Sequence, residues 1–343
     1  MGPGPSTALD VAAAAHITRF RGAYTPFSST RSRMSLVSVL LLVAGIVALY
    51  AGAELLVAGA GRLALGIGLR AATVGVTVIA FATTAPEVFV ATIGALDVSS
   101  DIGLGAVLGS NIANIGLVLG IAALIRPLSV SDTVMRRHVP FMVFAALLLV
   151  LFGLNGTIGR LEGLLLLLAL AGFTVYLVYC ARTDPAPTAK PGASSRVELR
   201  DVALVGAGLV ALLVGSRWLI AGGTDLLSAL GVSDLVIGLT VLALGTSLPE
   251  LAASVVGAIR GETAFAIGNV VGSNIYNVLA VLGIVALITP IEIASSTLRF
   301  ELPVLIAFTV VLVGLMAHGR RLSRFDGGVL VVSYVGFLVA LVL

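Results

Sequence analysis

From Ser35 to the last residue the chain alternates long apolar runs with short stretches punctuated by Arg, Pro and Gly. The runs are about 18 to 25 residues long, the length a helix needs to cross about 30 Å of hydrocarbon. Ten spans are predicted, at about 35–60, 72–95, 102–125, 138–154, 160–181, 201–223, 234–258, 264–288, 301–317 and 327–343. One hydrophilic interruption stands out. Residues 182–200 carry Pro185, Pro187, Pro191 and mixed charge, which reads as a linker dividing the spans five and five. The expected fold is an all-α polytopic membrane protein of ten transmembrane helices.

The two groups of spans repeat one another, and adding 163 to a residue number exposes the repeat. Thr83 becomes Thr246, Pro86 becomes Pro249, Glu87 becomes Glu250, Gly109-Ser110-Asn111 becomes Gly272-Ser273-Asn274, and Asn114 becomes Asn277. No gap is needed. An odd number of crossings starts the second half on the opposite side of the bilayer, so the halves are expected to be two inverted five-helix repeats. Such repeats commonly hold a substrate site between them at mid-membrane. The expected division is an N-terminal tail at 1–33, a first membrane repeat at 34–181, the linker at 182–200 and a second membrane repeat at 201–343. The tail has no apolar signal core before Met34, so it reads as a disordered stretch or as a start placed too early.

Composition narrows the function classes. The chain is 59% hydrophobic and 11% charged, with a mean hydropathy of +1.14, far from the roughly 25% charged residues of soluble domains. The net charge of +3 does not point to nucleic acid, because the basic residues are scattered between apolar runs. They orient the chain instead. Loops after odd-numbered spans hold Arg62, Arg70, Arg126, Arg136, Arg137, Arg182, Lys190, Arg196, Arg200, Arg260, Arg320, Arg321 and Arg324, whereas the opposite side holds Arg160 and Arg299 in its loops and four Arg in the first 33 residues, which weaken the bias. The positive-inside rule then predicts a cytoplasmic linker, both termini outside, and residence in the plasma (cytoplasmic) membrane. Cys180 has no Cys partner to suggest a disulfide or thiolate site. His16, His138 and His318 are expected at surfaces or interfaces and are assigned no metal.

The chemistry lies in two paired motifs. Span two contains Thr83-Thr84-Ala85-Pro86-Glu87 and span seven contains Thr246-Ser247-Leu248-Pro249-Glu250, each placing a carboxylate in mid-span. A charged side chain there costs about 3 kcal/mol on insertion scales and normally faces a cavity with a partner. Pro86 and Pro249 remove a helix hydrogen bond, freeing carbonyl oxygens that must find another donor or a cation. Thr83 and Glu87, like Thr246 and Glu250, are four residues apart and share a helix face. Hydroxyl, carboxylate and carbonyl oxygens suit Na⁺ or Ca²⁺, and not zinc or copper. A single Thr-x-x-Glu would serve equally as a helix capping box. Two copies at matching depths favour ion ligation.

The second motif is Gly109-Ser110-Asn111-Ile112-Ala113-Asn114 in span three and Gly272-Ser273-Asn274-Ile275-Tyr276-Asn277 in span eight. Ser110 and Asn114 present oxygens along one face, as do Ser273 and Asn277; close helix packing is the competing account, above all for Gly109, Gly272, Asn111 and Asn274. Glu54 and Arg217 occupy matching repeat positions and could pair across a gate, though snorkelling to the interface is favoured. Asp97 and Asp101 are expected in a solvated turn.

Together these motifs resemble the cation/Ca²⁺ antiporter superfamily, in particular prokaryotic sodium/calcium exchangers, over essentially Met34 to Leu343. The resemblance implies central ion sites formed by helices two, three, seven and eight. Glu87 and Glu250 would ligate Ca²⁺ and border Na⁺ sites, Thr83, Thr84, Ser110, Thr246, Ser247 and Ser273 would add hydroxyls, and Ala80 and Ala243 would add carbonyl oxygens. Some family members carry Asp at the position of Asn277, a feature of K⁺-dependent relatives, so no K⁺ requirement is expected. The first and sixth spans would slide past the core, although ordinary close packing is the favoured account of their Gly residues. The resemblance implies a secondary antiporter exchanging Na⁺ for Ca²⁺, with transported ions but no cofactor, no enzymatic activity and no protein partner that can be inferred. A Ca²⁺/H⁺ antiporter of the same superfamily is the alternative, and a passive cation channel or membrane-embedded hydrolase a more distant one.

Overall fold

The computed structural model describes residues 36–67, 70–84, 87–88, 91–92, 100–183, 198–230 and 245–342. Helix α1 is Leu36–Ile67. Helix α2 runs through Ala71–Val74, a π-helical turn at Gly75–Ile79 and Ala80–Thr83. Helix α3 joins Ser100–Ala113, a π turn at Asn114–Leu119 and Gly120–Ile125. After these come α4, a π turn at Val134–His138 leading into Val139–Gly153, then α5 (Arg160–Thr183) and α6 (Leu199–Ala229). In the second half lie α7 (Leu248–Arg260), α8 (Thr263–Tyr276, a π turn at Asn277–Leu282 and Gly283–Ile288), α9 (Glu301–Ala317) and α10 (Arg324–Val342).

Among the described residues, eight helices are long and apolar enough to cross a membrane, and Ala72–Thr83 is a shorter apolar helix. The protein is a multi-pass, mainly helical membrane protein. Predicted span seven begins in residues 231–244 and the linker occupies much of 184–197, both outside the described residues. Helices α1 and α6 run past their predicted ends, to Ile67 and Ala229.

Burial separates the core from the periphery. In α8, 83% of the most apolar window is buried and in α3 72%, against 22–39% for the other six long helices. The Gly-Ser-Asn helices are therefore the axis of the molecule, and lipid-facing helices surround them. Helix α8 lies backbone against backbone on α2: a Cβ on Gly268 would stand 2.5 Å from the Ala72 carbonyl oxygen, and one on Gly272 2.7 Å from Val76 Cα. Helices α1 and α6 pack along a second glycine seam. Gly45, Gly52 and Gly59 on α1 and Gly208, Gly215 and Gly222 on α6 recur every seven residues, and a Cβ on Gly52 would lie 2.8 Å from the Gly208 carbonyl oxygen.

Among the described residues, four short strands modify the all-α expectation. β1 (Leu128–Ser129) pairs antiparallel with β4 (Arg321–Leu322), and β2 (Thr157–Ile158) with β3 (Ile291–Glu292). They also report on topology. A crossing helix, α4, separates β1 from β2, so the two ribbons lie at opposite ends of the helices. β1 and β3 are 163 residues apart and so are β2 and β4, with one residue of slack, yet repeat-related strands never share a ribbon. Equivalent loops of the two halves therefore sit at opposite ends, which is the geometry of an inverted repeat.

His138 differs from its expected place. It is fully buried at the start of α4, where the Val134–His138 π turn draws the chain inward before Pro140. His318 is exposed, and His16 lies outside the described residues.

Candidate functional site

Glu250 sits in the first turn of α7, directly after Pro249, where a proline needs no N–H partner and an acidic side chain is favoured by the helix dipole. It is 0% exposed, and Glu87 is 4% exposed. They face the interior and not lipid.

The paired motifs gather around them. Ser273 Oγ donates to Glu250 Oε1 at 3.5 Å, and the Thr83 hydroxyl also faces that carboxylate. Ser110 Oγ lies 3.1 Å from Ser247 Oγ, linking the halves. Asn277 Nδ2 donates to Ser110 Oγ at 3.1 Å and to Asn111 Oδ1 at 2.9 Å. Thr83, Thr84, Ser110, Asn114, Ser247, Ser273 and Asn277 are all buried, and Thr246 is half-buried. The Ala80 carbonyl accepts from the Thr84 N–H at 2.9 Å and from Thr83 Oγ1 at 3.3 Å. Ala243 and Pro86 lie outside the described residues.

The oxygens left over define the chemistry. Glu87 Oε1 and Oε2, Glu250 Oε2, Thr84 Oγ1, Asn114 Oδ1 and Asn277 Oδ1 are buried and have no side-chain hydrogen-bond partner among the described residues. Each such acceptor costs about 1–3 kcal/mol unless something satisfies it. These six belong to the two sequence motifs; Thr92 Oγ1, Asn269 Oδ1 and Glu301 Oε2 are the other buried oxygens without a partner among the described residues. Among the described residues no cluster of three or more His, Cys, Asp or Glu exists, so the donor set is carboxylate, hydroxyl and amide oxygen. Such a set fits a hard cation. The π turns of α3 and α8 begin at Asn114 and Asn277, the two repeat-related amides, and π turns are frequent at functional positions.

Asn111 and Asn274 take the packing role: Asn111 Nδ2 reaches the Asn274 carbonyl oxygen at 3.5 Å, and Asn274 Nδ2 donates to the Val270 carbonyl oxygen at 2.9 Å. Glu54 pairs not with Arg217 but with Arg260 at the end of α7, and both side chains reach solvent. The side chain of Asp101 and all of Asp97 lie outside the described residues. Sequence reasoning missed Asn269 and Ser254. Both are fully buried, and Asn269 Nδ2 donates to Ser254 Oγ at 3.1 Å and to the Glu250 carbonyl oxygen at 3.4 Å. The available signal was helical spacing, since 269, 273 and 277 share a face of α8. The repeat concealed it, because the matching first-half residues are Ala106 and Ala91.

A multi-pass membrane protein with inverted repeats and a buried, acidic, all-oxygen centre is built to handle a cation within the bilayer. The chain belongs to the family described as sodium/calcium exchanger protein, whose model matches residues 37–179 and 201–343. It is 37% identical to CaxA of Alkalimonas amylolytica, over 76% of this chain and 85% of that protein. It is 31% identical to the sodium/calcium exchanger MaX1 of Methanosarcina acetivorans, over 77% and 87% of the two chains. Among solved structures, the sodium-calcium exchanger NCX_Mj soaked with zero Na⁺ and Ca²⁺ superposes with a TM-score of 0.76 at 29% identity, covering 90% of this chain and all of that one.

Proposed function

We propose that the protein is a secondary antiporter exchanging Na⁺ for Ca²⁺ by alternating access, independent of K⁺, with Ca²⁺ moving out of the cell as Na⁺ enters. The observation that carries this reading is the cluster of unpartnered oxygens around Glu87 and Glu250, drawn from both halves of the chain. Thr83, Thr84, Ser110, Asn114, Thr246, Ser247, Ser273 and Asn277 supply neutral oxygens, with carbonyls of Ala80 and Ala243 in the same motifs. Neutral oxygens support Na⁺, which cannot rely on covalent protonation of a carboxylate.

Coupling follows from charge. With both glutamates ionised, the empty centre carries two like charges in a low-dielectric interior, and passage through an occluded state is disfavoured. One Ca²⁺ cancels the charge, and so do Na⁺ ions bound together. The loaded carrier switches in either case and the empty one does not, so exchange needs no contact between the two ions. MaX1 and NCX_Mj are sodium/calcium exchangers by name, which supports the same pair of ions here. The basic ends of the odd spans support a cytoplasmic linker, with both termini outside.

The test is radiocalcium uptake into proteoliposomes loaded with Na⁺, with acid, or with neither. Uptake is expected only with the outward Na⁺ gradient and without added K⁺. Uptake driven by protons alone would transfer the assignment to Ca²⁺/H⁺ exchange, and uptake without either gradient would indicate a channel.

A further inference from the structure

The two halves match in sequence at their central motifs but not one helical turn beyond them. In the second half the polar face of α8 continues from Asn277 and Ser273 back to Asn269, and that of α7 continues from Glu250 to Ser254. The repeat-related positions in the first half are Ala106 and Ala91, whose methyl side chains offer no hydrogen bond. The second half thus has an extra polar rung, and that rung touches one glutamate only.

Its bonding is specific. Asn269 Nδ2 donates at 3.1 Å to Ser254 Oγ and at 3.4 Å to the backbone carbonyl oxygen of Glu250. Asn269 is itself anchored, because Gly75 of α2 lies against its backbone: a Cβ on Gly75 would stand 2.9 Å from the Phe265 carbonyl oxygen and 3.1 Å from the Asn269 nitrogen. The amide therefore ties the first turn of α7 to the close-packed pair α2 and α8. Its Oδ1 is buried without a partner among the described residues, so the residue carries a cost that an apolar side chain would avoid. The carboxylates differ accordingly. Glu250 Oε1 is held by Ser273, whereas no side chain among the described residues bonds either oxygen of Glu87.

We propose that Asn269, braced by Ser254, is a positioning residue that pins Glu250, making Glu250 the fixed carboxylate of the cation site and Glu87 the one that adjusts to the arriving ion. The inference rests on the cation-binding reading given above. It adds an inequality between two glutamates that the sequence presents as equivalents.

The test is Ca²⁺ binding to the purified full chain in detergent, followed by calorimetry, with thermal stability measured separately. If the wild type fails to bind Ca²⁺, the cation-site reading fails; the outcomes for this proposal are read against a wild type that binds. Asn269→Ala, which gives the second half the residue the first half carries, is expected to raise the half-saturating Ca²⁺ concentration about tenfold, the usual effect of losing a group that orients a ligand, and Ser254→Ala less. Adding Ala106→Asn with Ala91→Ser to the Asn269→Ala variant moves the clamp to Glu87 and is expected to restore affinity. If Asn269→Ala does not fold, Ser254→Ala decides, since it keeps the bond to Glu250 and removes only the brace. Unchanged affinity in the folded variants, or lost affinity that the transplanted clamp does not restore, overturns the proposal.

Discussion

A carboxylate inside an apolar span survives only if its surroundings use it, because the desolvation cost falls due whether or not an ion is bound. Glu87 and Glu250 meet that condition together, both buried beside the hydroxyl and amide groups of the paired motifs. Glu87→Gln and Glu250→Gln are each expected to reduce Na⁺-driven Ca²⁺ flux to background. Each should change folding stability by no more than about 1 kcal/mol, since the amide keeps the volume and removes a costly buried charge. Parallel flux and melting measurements check this. Normal flux in either variant removes that glutamate from the site. Histidine chemistry was not legible at this scale: His138 follows two arginines and reads as interfacial, but the π turn that ends on it carries the ring inside.

Helix contacts rest on glycine at both major seams. Between α1 and α6 the facing backbones leave no space for a side chain; a Cβ on Gly215 would lie 2.8 Å from the Leu49 nitrogen and 3.0 Å from the Gly45 carbonyl oxygen. Backbone cannot rotate away as a flexible side chain does. Gly215→Leu is therefore expected to destabilise the protein by about 1–3 kcal/mol and to depress flux, whereas Gly206→Leu, at a position with nothing within 4 Å among the described residues, should do neither. Melting temperature and flux of the two variants provide the comparison. The Glu54–Arg260 pair links α1 to the end of α7, but both partners reach solvent, so it contributes no more than about 1 kcal/mol. Its partner choice was hidden in the sequence, where the repeat relates Glu54 to Arg217, and repeat-related positions lie at opposite ends of the fold.

At the level of the whole molecule, the ribbons β1–β4 and β2–β3 mark the two ends of the helices. In a Cys180→Ala background, Ser129→Cys and Asn155→Cys are expected to react with a membrane-impermeant thiol reagent from opposite sides of sealed vesicles. Labelling of both from one side would refute the inverted arrangement. The extent of burial in α3 and α8 also belongs to this scale, because both helices are apolar enough to pass for lipid-facing spans when read alone.

The sequence by itself determined the membrane class, most of the crossing segments, the two-fold repeat and the acidic and hydroxyl residues around the centre. Those features are local: apolar run length, helical spacing and a constant offset are properties of the chain, present before any two helices meet. Tertiary structure decided what that offset made invisible. Equivalent residues in inverted halves meet different neighbours, so Glu250 acquires Ser273 and Asn269 while no side chain among the described residues reaches the Glu87 oxygens, and Asn277 bonds across the halves while the Asn114 amide has no partner among those residues. The repeat made these pairs alike in sequence; packing made them unlike, because a hydrogen bond depends on the donor that arrives from another helix.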